Sequence, residues 1–391
     1  MNTTPSSERL HIGFFGMRNA GKSSLVNAVT SQNLALVSNI KGTTTDPVKK
    51  AMELLPLGPV VIIDTPGLDD EGVLGEMRVK RAKDMLSSVH IAVLVVDALR
   101  GMTAEDKFLA AEIESRKLPL IIAMNKADLL GRVPENEGNM IYVSAEKNIG
   151  INELKEKMAS LSKTAKSDKK ILADLVNKGD TVMLVTPIDE SAPKGRLILP
   201  QQQTIRELLE IGCVTIVVQV EEITTALQNL KTAPKLVITD SQAFGKVAKI
   251  LPRDIKLTSF SILFARYKGD LEMMVQGADK LSNLKNGDKI LISEGCTHHR
   301  QCKDIGTVKL PNWIKDFSGK TLDFTFTSGG EFPDDLSEFA LVVHCGGCTL
   351  NEREMKSRLE RCKTQGIPVT NYGTAIAEMN GILSRSLEML K

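Results

Sequence analysis

Short apolar runs alternate with polar, helix-forming stretches through the first 160 residues. Leu10–Phe15, Val60–Ile63, His90–Val96, Leu118–Met124 and Met140–Val143 are rich in β-branched and aliphatic residues. Runs of this length without polar alternation predict strands buried on both faces of a parallel sheet. The first leads into a Gly-bearing turn and a helical stretch from Lys22. The others end in DTPG, DALR, NKAD and SAE. Polar residues just past strand ends lie at the carboxyl edge, where open α/β sheets bind ligands. The expected class is therefore α/β, a mostly parallel sheet with helices on both faces, over residues 1–160.

Residues 161–170 (LSKTAKSDKK) are polar and lysine-rich and read as a linker. A second α/β unit, 171–258, has expected strands at Thr181–Ile188, Val214–Val220 and Lys235–Thr239. Its loop APKGRLILPQQQ carries Lys194 and Arg196 without a catalytic constellation. A third unit, 259–391, has expected strands at Lys289–Ser293 and Phe339–His344. No repeat of 20–50 residues and no low-complexity tract is visible.

Composition narrows the class without naming a function. The 391 residues suffice for two or three domains, and 42% hydrophobic with 25% charged residues is the balance of a globular protein. No apolar run approaches the ~18 residues of a membrane span, and the first residues lack the charge and apolar pattern of a secretory signal. The expectation is a cytoplasmic protein with no membrane partner. Net charge is +2 and aromatics are 4%, which gives no bulk support for nucleic-acid binding.

Gly16-Met17-Arg18-Asn19-Ala20-Gly21-Lys22-Ser23 fits the phosphate-loop pattern GxxxxGK[ST]. Gly16, Ala20, Gly21 and Ser24 would help cradle phosphates with backbone N–H groups at a helix start. Lys22 would reach the β- and γ-phosphates, and the Ser23 hydroxyl would ligate magnesium. Asp64-Thr65-Pro66-Gly67 resembles the GTPase DxxG motif, in which Asp64 holds magnesium through water and the Gly67 amide senses the γ-phosphate. Asn125-Lys126-Ala127-Asp128 resembles the NKxD motif, whose aspartate accepts from guanine N1–H and N2–H. Ser144-Ala145-Glu146 resembles the motif whose backbone N–H meets guanine O6. The set is similar to GTPase domains of the translation-factor-related small G proteins and implies GTP and Mg2+.

Leu68 stands where Ras-like proteins carry the glutamine that orients the attacking water, so slow intrinsic hydrolysis is expected. Asn19, with switch I as Lys41-Gly42-Thr43-Thr44-Thr45-Asp46, resembles the cation-activated GTPases of the tRNA-modification type. That resemblance implies K+ on the Asn19 carbonyl oxygen and Thr44 on magnesium. Arg18 as an internal finger and Asn19 as a purely loop-shaping residue are the alternatives.

The stretch from Cys296 to Cys348 holds four of the six cysteines and three of the five histidines. Cys296-Thr297-His298 follows one expected strand, and His344-Cys345-Gly346-Gly347-Cys348 ends another. Two sulfurs of a C-x-x-C can face one metal, and Gly-Gly between them leaves N–H groups free to donate to sulfur. By spacing alone, a Cys3His or Cys2His2 zinc site, a cluster with three thiolates and an exchangeable ligand, and unrelated core residues all remain open. Cys302 is a further candidate thiolate; Cys213 and Cys362 read as core.

A GTPase domain followed at a wide gap by CxH and HCxxC resembles the FeFe-hydrogenase maturation GTPase family. The resemblance implies a middle dimerisation domain, giving a homodimer, and a third domain that binds a 4Fe–4S cluster. Cys296, Cys345 and Cys348 would be the ligands, with His298 and His344 as candidate additional ligands. It also implies a scaffold and carrier for the two-iron subcluster, with apo FeFe-hydrogenase and two radical S-adenosylmethionine maturases as partners. GTP hydrolysis would then gate partner interaction. The alternative is a tRNA-modification or ribosome-assembly GTPase with a structural zinc site.

Overall fold

The structure, a computed structural model, describes residues 4–32, 48–65, 84–165, 169–188, 197–296 and 304–390. These fall in two compact units, Met1–Asp168 and Lys169–Lys391.

The first unit runs β1 (Leu10–Phe15), α1 (Lys22–Thr30), β2 (Val48–Leu54), β3 (Gly58–Asp64), β4 (Ile91–Asp97), α2 (Ala104–Ser115), β5 (Leu120–Asn125), β6 (Met140–Tyr142) and α3 (Ile151–Ala165). The strands form one sheet in the order β2-β3-β1-β4-β5-β6. All pairings are parallel except β2 with β3. All six residues of β1 are buried, since strands flank it and helices cover both faces. Ile12 and Phe14 pack with Leu25, Val29 and Ile121 on one face, and Phe15 packs with Ile63, Leu94 and Ile113 on the other. This is the mostly parallel α/β sheet with helices on both faces that the apolar runs predicted. Two local features differ. The edge strand β2 (VKKAMEL) is mostly exposed and carries no buried apolar run. Helix α3 continues to Ala165, into the stretch read as linker.

The second unit runs β7 (Thr181–Val185), α4 (Leu199–Ile211), β8 (Val214–Val218), α5 (Ile223–Gln228), β9 (Leu236–Thr239), α6 (Phe244–Ile250), β10 (Leu257–Ser259), α7 (Phe260–Lys268) and α8 (Leu271–Ala278). It continues through β11 (Lys289–Glu294), α9 (Leu310–Ser318), β12 (Asp323–Ser328), β13 (Leu341–His344), α10 (Glu352–Thr364), β14 (Val369–Asn371), α11 (Tyr372–Met379) and α12 (Leu383–Ser386). β7 stops at Val185 rather than Ile188; Pro187, two residues on, has no N–H for a ladder.

Two all-parallel sheets result, β10-β9-β7-β8 and β12-β11-β13-β14. Counted within each sheet, the strand order is the same, 2-1-3-4, read from opposite edges. Registers match as well. Thr239 pairs with Val185 and Ser259, and His344 pairs with Ser293 and Asn371. Ser259 and Asn371 each cap the following helix by accepting a backbone N–H, from Ile262 and Thr374. The unit is thus a fold-level duplication.

The two sheets share a core in which Met183, Val185 and Val237 join Ile290, Ile292, Leu341 and Val343. On the far face of the first sheet, Phe260, Leu263 and Phe264 of α7 pack with Leu184 and Ile238. Helix α7 therefore belongs with the sheet before it, whereas the sequence reading began a third unit near Ser259.

Candidate functional site

The phosphate loop sits between β1 and α1, at the carboxyl edge of the central strands. Gly16 has φ +140°, and a Cβ there would lie 2.2 Å from the Val95 carbonyl oxygen. Gly21 has φ +85°, and its Cβ would lie 2.3 Å from Asn125 Nδ2. Both positions exclude side chains, so the loop backbone can close around a phosphate. Asn19 is exposed and in the left-handed region at φ 61°, which asparagine tolerates better than most residues. Ala20 is buried and Ser24 exposed. Lys22 is buried, and its Nζ donates to the Gly16 and Met17 carbonyls at 2.9 and 2.8 Å. These carbonyls hold the ammonium at the loop's centre, where its N–H groups would meet phosphate oxygens.

Ser23 Oγ donates to Asp64 Oδ2 at 2.7 Å. Asp64 Oδ1 is buried without a hydrogen-bond partner among the described residues. Burial pushes the Asp64 carboxyl above its usual range, with Ser23 and Lys22 opposing the shift. A hydroxyl beside a buried, under-satisfied carboxylate fits a hydrated magnesium ion. Thr44, Gly67 and Leu68 lie outside the described residues.

Asn125 is buried and joins two loops: its Nδ2 donates to Ala20 O at 2.9 Å and its Oδ1 accepts from Ala145 N at 3.1 Å. The asparagine read as a base-recognition residue therefore also ties the phosphate loop to the Ser144-Ala145 loop. Ser144 is fully buried, and its Oγ accepts from Lys147 N at 3.0 Å. Asp128 lies in the short turn Ala127–Leu129, anchored by Ala127 N to Val143 O at 3.0 Å. Lys126 pairs with Asp97 Oδ2 at 2.6 Å. Burial raises the Asp97 carboxyl, but Lys126 and the Leu99 and Arg100 amides outweigh it and hold it below the usual range. Asp97 was legible only as the start of DALR; its partner follows from the β4–β5 register, where Asp97 faces Asn125.

A second constellation lies at the carboxyl ends of β11 and β13. These neighbouring strands are where the chain turns outward to opposite edges, the crevice in which open parallel sheets bind ligands. Cys345 N donates to Ser293 O at 2.9 Å, so the C-x-x-C turn begins where the ladder ends. The Gly295 and Gly347 amides donate to Cys345 Sγ at 3.1 and 3.4 Å. Thr349 Oγ1 donates to Gly295 O at 2.8 Å. These bonds bring Gly295, the chain neighbour of half-buried Cys296, against the Cys345–Thr349 turn. Gly347, at φ 62°, adopts a left-handed backbone that favours glycine, with the Met355 side chain packed over it. Burial pushes the Cys345 thiol up to about 11, with Cys348 adding to the rise, and burial also raises Cys348. Metal loading would release these protons. Among the described residues, no three His, Cys, Asp or Glu side chains are grouped as a metal site. Cys345 and Cys348 on one tight turn, with two amides already aimed at the Cys345 sulfur, fit a thiolate-ligated centre.

His344 is committed elsewhere. Its ring is 1% exposed. Nδ1 lies 2.9 Å from the Cys345 carbonyl, which can only accept, so Nδ1 carries the proton. Nε2 then accepts from Arg358 Nη1 at 3.1 Å. Burial and Arg358 hold its pKa down at about 3. Both ring nitrogens are thus engaged within the protein in this arrangement. His298 and Cys302 lie outside the described residues. Cys213, with Sγ 3.3 Å from Asn177 O, and Cys362 are buried core residues.

The fold and first site define a P-loop GTPase domain, here in one chain with a duplicated α/β unit that bears a cysteine centre. Family models match the chain over most of its length: 50S ribosome-binding GTPase over 11–126, hydrogen maturase F dimerization domain over 171–269, and hydrogen maturase F tetramerization domain over 272–389. The chain belongs to the hydrogen maturase F family.

Curated relatives include GTPase Der of Kosmotoga olearia, 31% identical over 189 residues, or 44% of this chain and 42% of that protein. They also include tRNA modification GTPase MnmE of Chromobacterium violaceum, 33% identical over 159 residues, or 39% of this chain and 35% of that protein. The chain thus spans less than half the length of these relatives. Solved structures with similarity include a probable GTP-binding protein engB, 22% identical with a TM-score of 0.33, over 39% of this chain and 99% of that one. The G domain of the T. maritima FeoB iron transporter is 23% identical with a TM-score of 0.31, over 39% and 99%. Among the described residues, no helix is long and apolar enough to cross a membrane.

Proposed function

We propose that this chain is a GTP hydrolase and an iron–sulfur scaffold and carrier for FeFe-hydrogenase maturation. On it the two-iron subcluster is completed, and from it the subcluster passes to apo-hydrogenase, with two radical S-adenosylmethionine maturases acting upstream. The observation that carries this reading is the cysteine centre at the β11/β13 crevice, in a chain that both hydrogen maturase F models match. Cys296, Cys345 and Cys348 would hold a 4Fe–4S cluster, and three thiolates leave one iron open to an exchangeable ligand. When bound, the cluster supplies that open iron as the attachment point for cargo. The protein's part is to aim the Gly295 and Gly347 amides at the Cys345 sulfur. A one-zinc structural site would need a fourth, sealed ligand, and His344 is engaged with Arg358 instead.

In the GTPase domain, Lys22 binds the β- and γ-phosphates, Ser23 and Asp64 hold magnesium, and the Asn125 loop selects guanine. With Leu68 in place of a water-orienting glutamine, intrinsic turnover is slow. A potassium ion on Asn19 supplies the missing charge, supported by that residue's exposed, left-handed position in the loop. Hydrolysis then gates partner contact through the switch loops. Oligomer formation uses the second unit. The edge strand β8 leaves Val214 and Val217 exposed, 53% and 45%, an unprotected strand edge of the kind that pairs with another copy.

Delivery is tested by loading the chain with its cargo, adding apo-hydrogenase and following hydrogen evolution. Wild type activates the hydrogenase and Cys345→Ala does not. Equal activation by both would overturn the scaffold assignment.

A further inference from the structure

Lys268, the last residue of α7, lies outside the matched hydrogen maturase F tetramerization region, 272–389, that contains the cysteines. It is 2% exposed. Its Nζ donates to Cys348 O at 3.0 Å and Leu350 O at 2.9 Å, and it lies 5.6 Å from the centroid of the Phe264 ring. The helix C-terminus favours a cation there, yet burying an ammonium is costly unless negative charge offsets it. The contact also fixes a peptide plane. C=O and N–H point in opposite directions across a trans peptide. Drawing the Cys348 carbonyl towards Lys268 therefore turns the Thr349 amide to the opposite side of that peptide and fixes the plane of the turn. A cluster held by three thiolates gains further negative charge on reduction.

We propose that Lys268 is a positioning residue for the cysteine centre: reaching across from the first sheet, it clamps the C-x-x-C turn through two carbonyls and sets its charge beside the bound cluster, favouring the reduced state. This rests on the iron–sulfur reading above. The clamp makes the centre a joint product of the two duplicated halves. Its buried cation comes from the helix that follows β10, and its thiolates come from the ends of β11 and β13.

The test is an EPR-monitored redox titration of the anaerobically reconstituted full chain as wild type, Lys268→Arg, Lys268→Gln and Lys268→Met. Thermal melting of each apo form verifies folding. At a fixed potential the Gln and Met variants should hold about tenfold less reduced cluster relative to oxidised, which is 59 mV for one electron. Lys268→Arg should stay near wild type. Gln keeps a donor without the charge, so it reports on charge even if Met does not fold. A wild-type midpoint in Lys268→Gln would overturn the charge role. A shift in Lys268→Arg as large as in Gln would show that packing, not charge, sets the midpoint, and would overturn it as well. Absence of a reducible signal in wild type itself would instead overturn the iron–sulfur reading.

Discussion

The two sheets of residues 169–391 have the same strand order and matching registers but end differently at the same place. Where the second sheet passes from His344 to Cys345, the first passes from Thr239 to Asp240. Where Ser293 leads into Glu294 and Gly295, the matched Val185 leads into Thr186 and Pro187. In the first sheet the crevice is closed by its own side chains: Gln201 Nε2 donates to Asp240 Oδ2 at 2.8 Å, and Ser241 bonds Ser261 at 2.9 Å. In the second, the half-buried Cys345 thiol receives two backbone amides, and cations stand behind the turn. One topology thus provides two crevices, and the residues at the strand ends decide which becomes a site.

The comparison can be broken at Arg358. This residue, 4% exposed, spans Ser293, His344, the Gly329 carbonyl and Glu354 beneath the cysteine turn. Arg358→Met leaves Glu354 and His344 Nε2 without their guanidinium, and the expected loss is about 3 kcal/mol. Urea unfolding of the apo chain checks it, and iron retention should fall with stability because His344 then no longer fixes the Cys345 carbonyl. A smaller effect sharpens the contrast. Asp240→Asn weakens the bond to Gln201 and should cost about 1 kcal/mol, with iron content unchanged on reconstitution. Iron loss in Asp240→Asn would mean that the first crevice takes part in metal binding.

Much of this was legible in the sequence because buried strands announce themselves. Ile91–Val96 and Leu10–Phe15 are continuous apolar runs, and they mark the carboxyl edge from which the phosphate loop and guanine loop start. Edge strands are not so marked. β2 is exposed along most of its length, β12 (DFTFTS) alternates polar and aromatic residues, and β14 has three residues. The duplication was hidden because strand order and register are conserved by backbone geometry while the side chains at matched positions, such as Asp240 and Cys345, share no chemistry. The cysteines could be read from their spacing, but Lys268 and Arg358 could not. Each looks like an ordinary surface cation on a helix until the fold brings it under the turn. The same holds for His344: an HC pair suggests ligation, and only the fold shows that its ring meets the Cys345 carbonyl and Arg358.

The most direct measurement is anaerobic reconstitution with iron and sulfide, followed by metal analysis and EPR after reduction, on wild type, Cys345→Ala and Cys213→Ala. Cys213 is a buried thiol packed against the first sheet and serves as the internal control. The account predicts about four irons per chain and a reducible 4Fe–4S signal in wild type and Cys213→Ala, both lost in Cys345→Ala. One tightly held zinc without a reducible signal, or a signal that survives in Cys345→Ala, would contradict it.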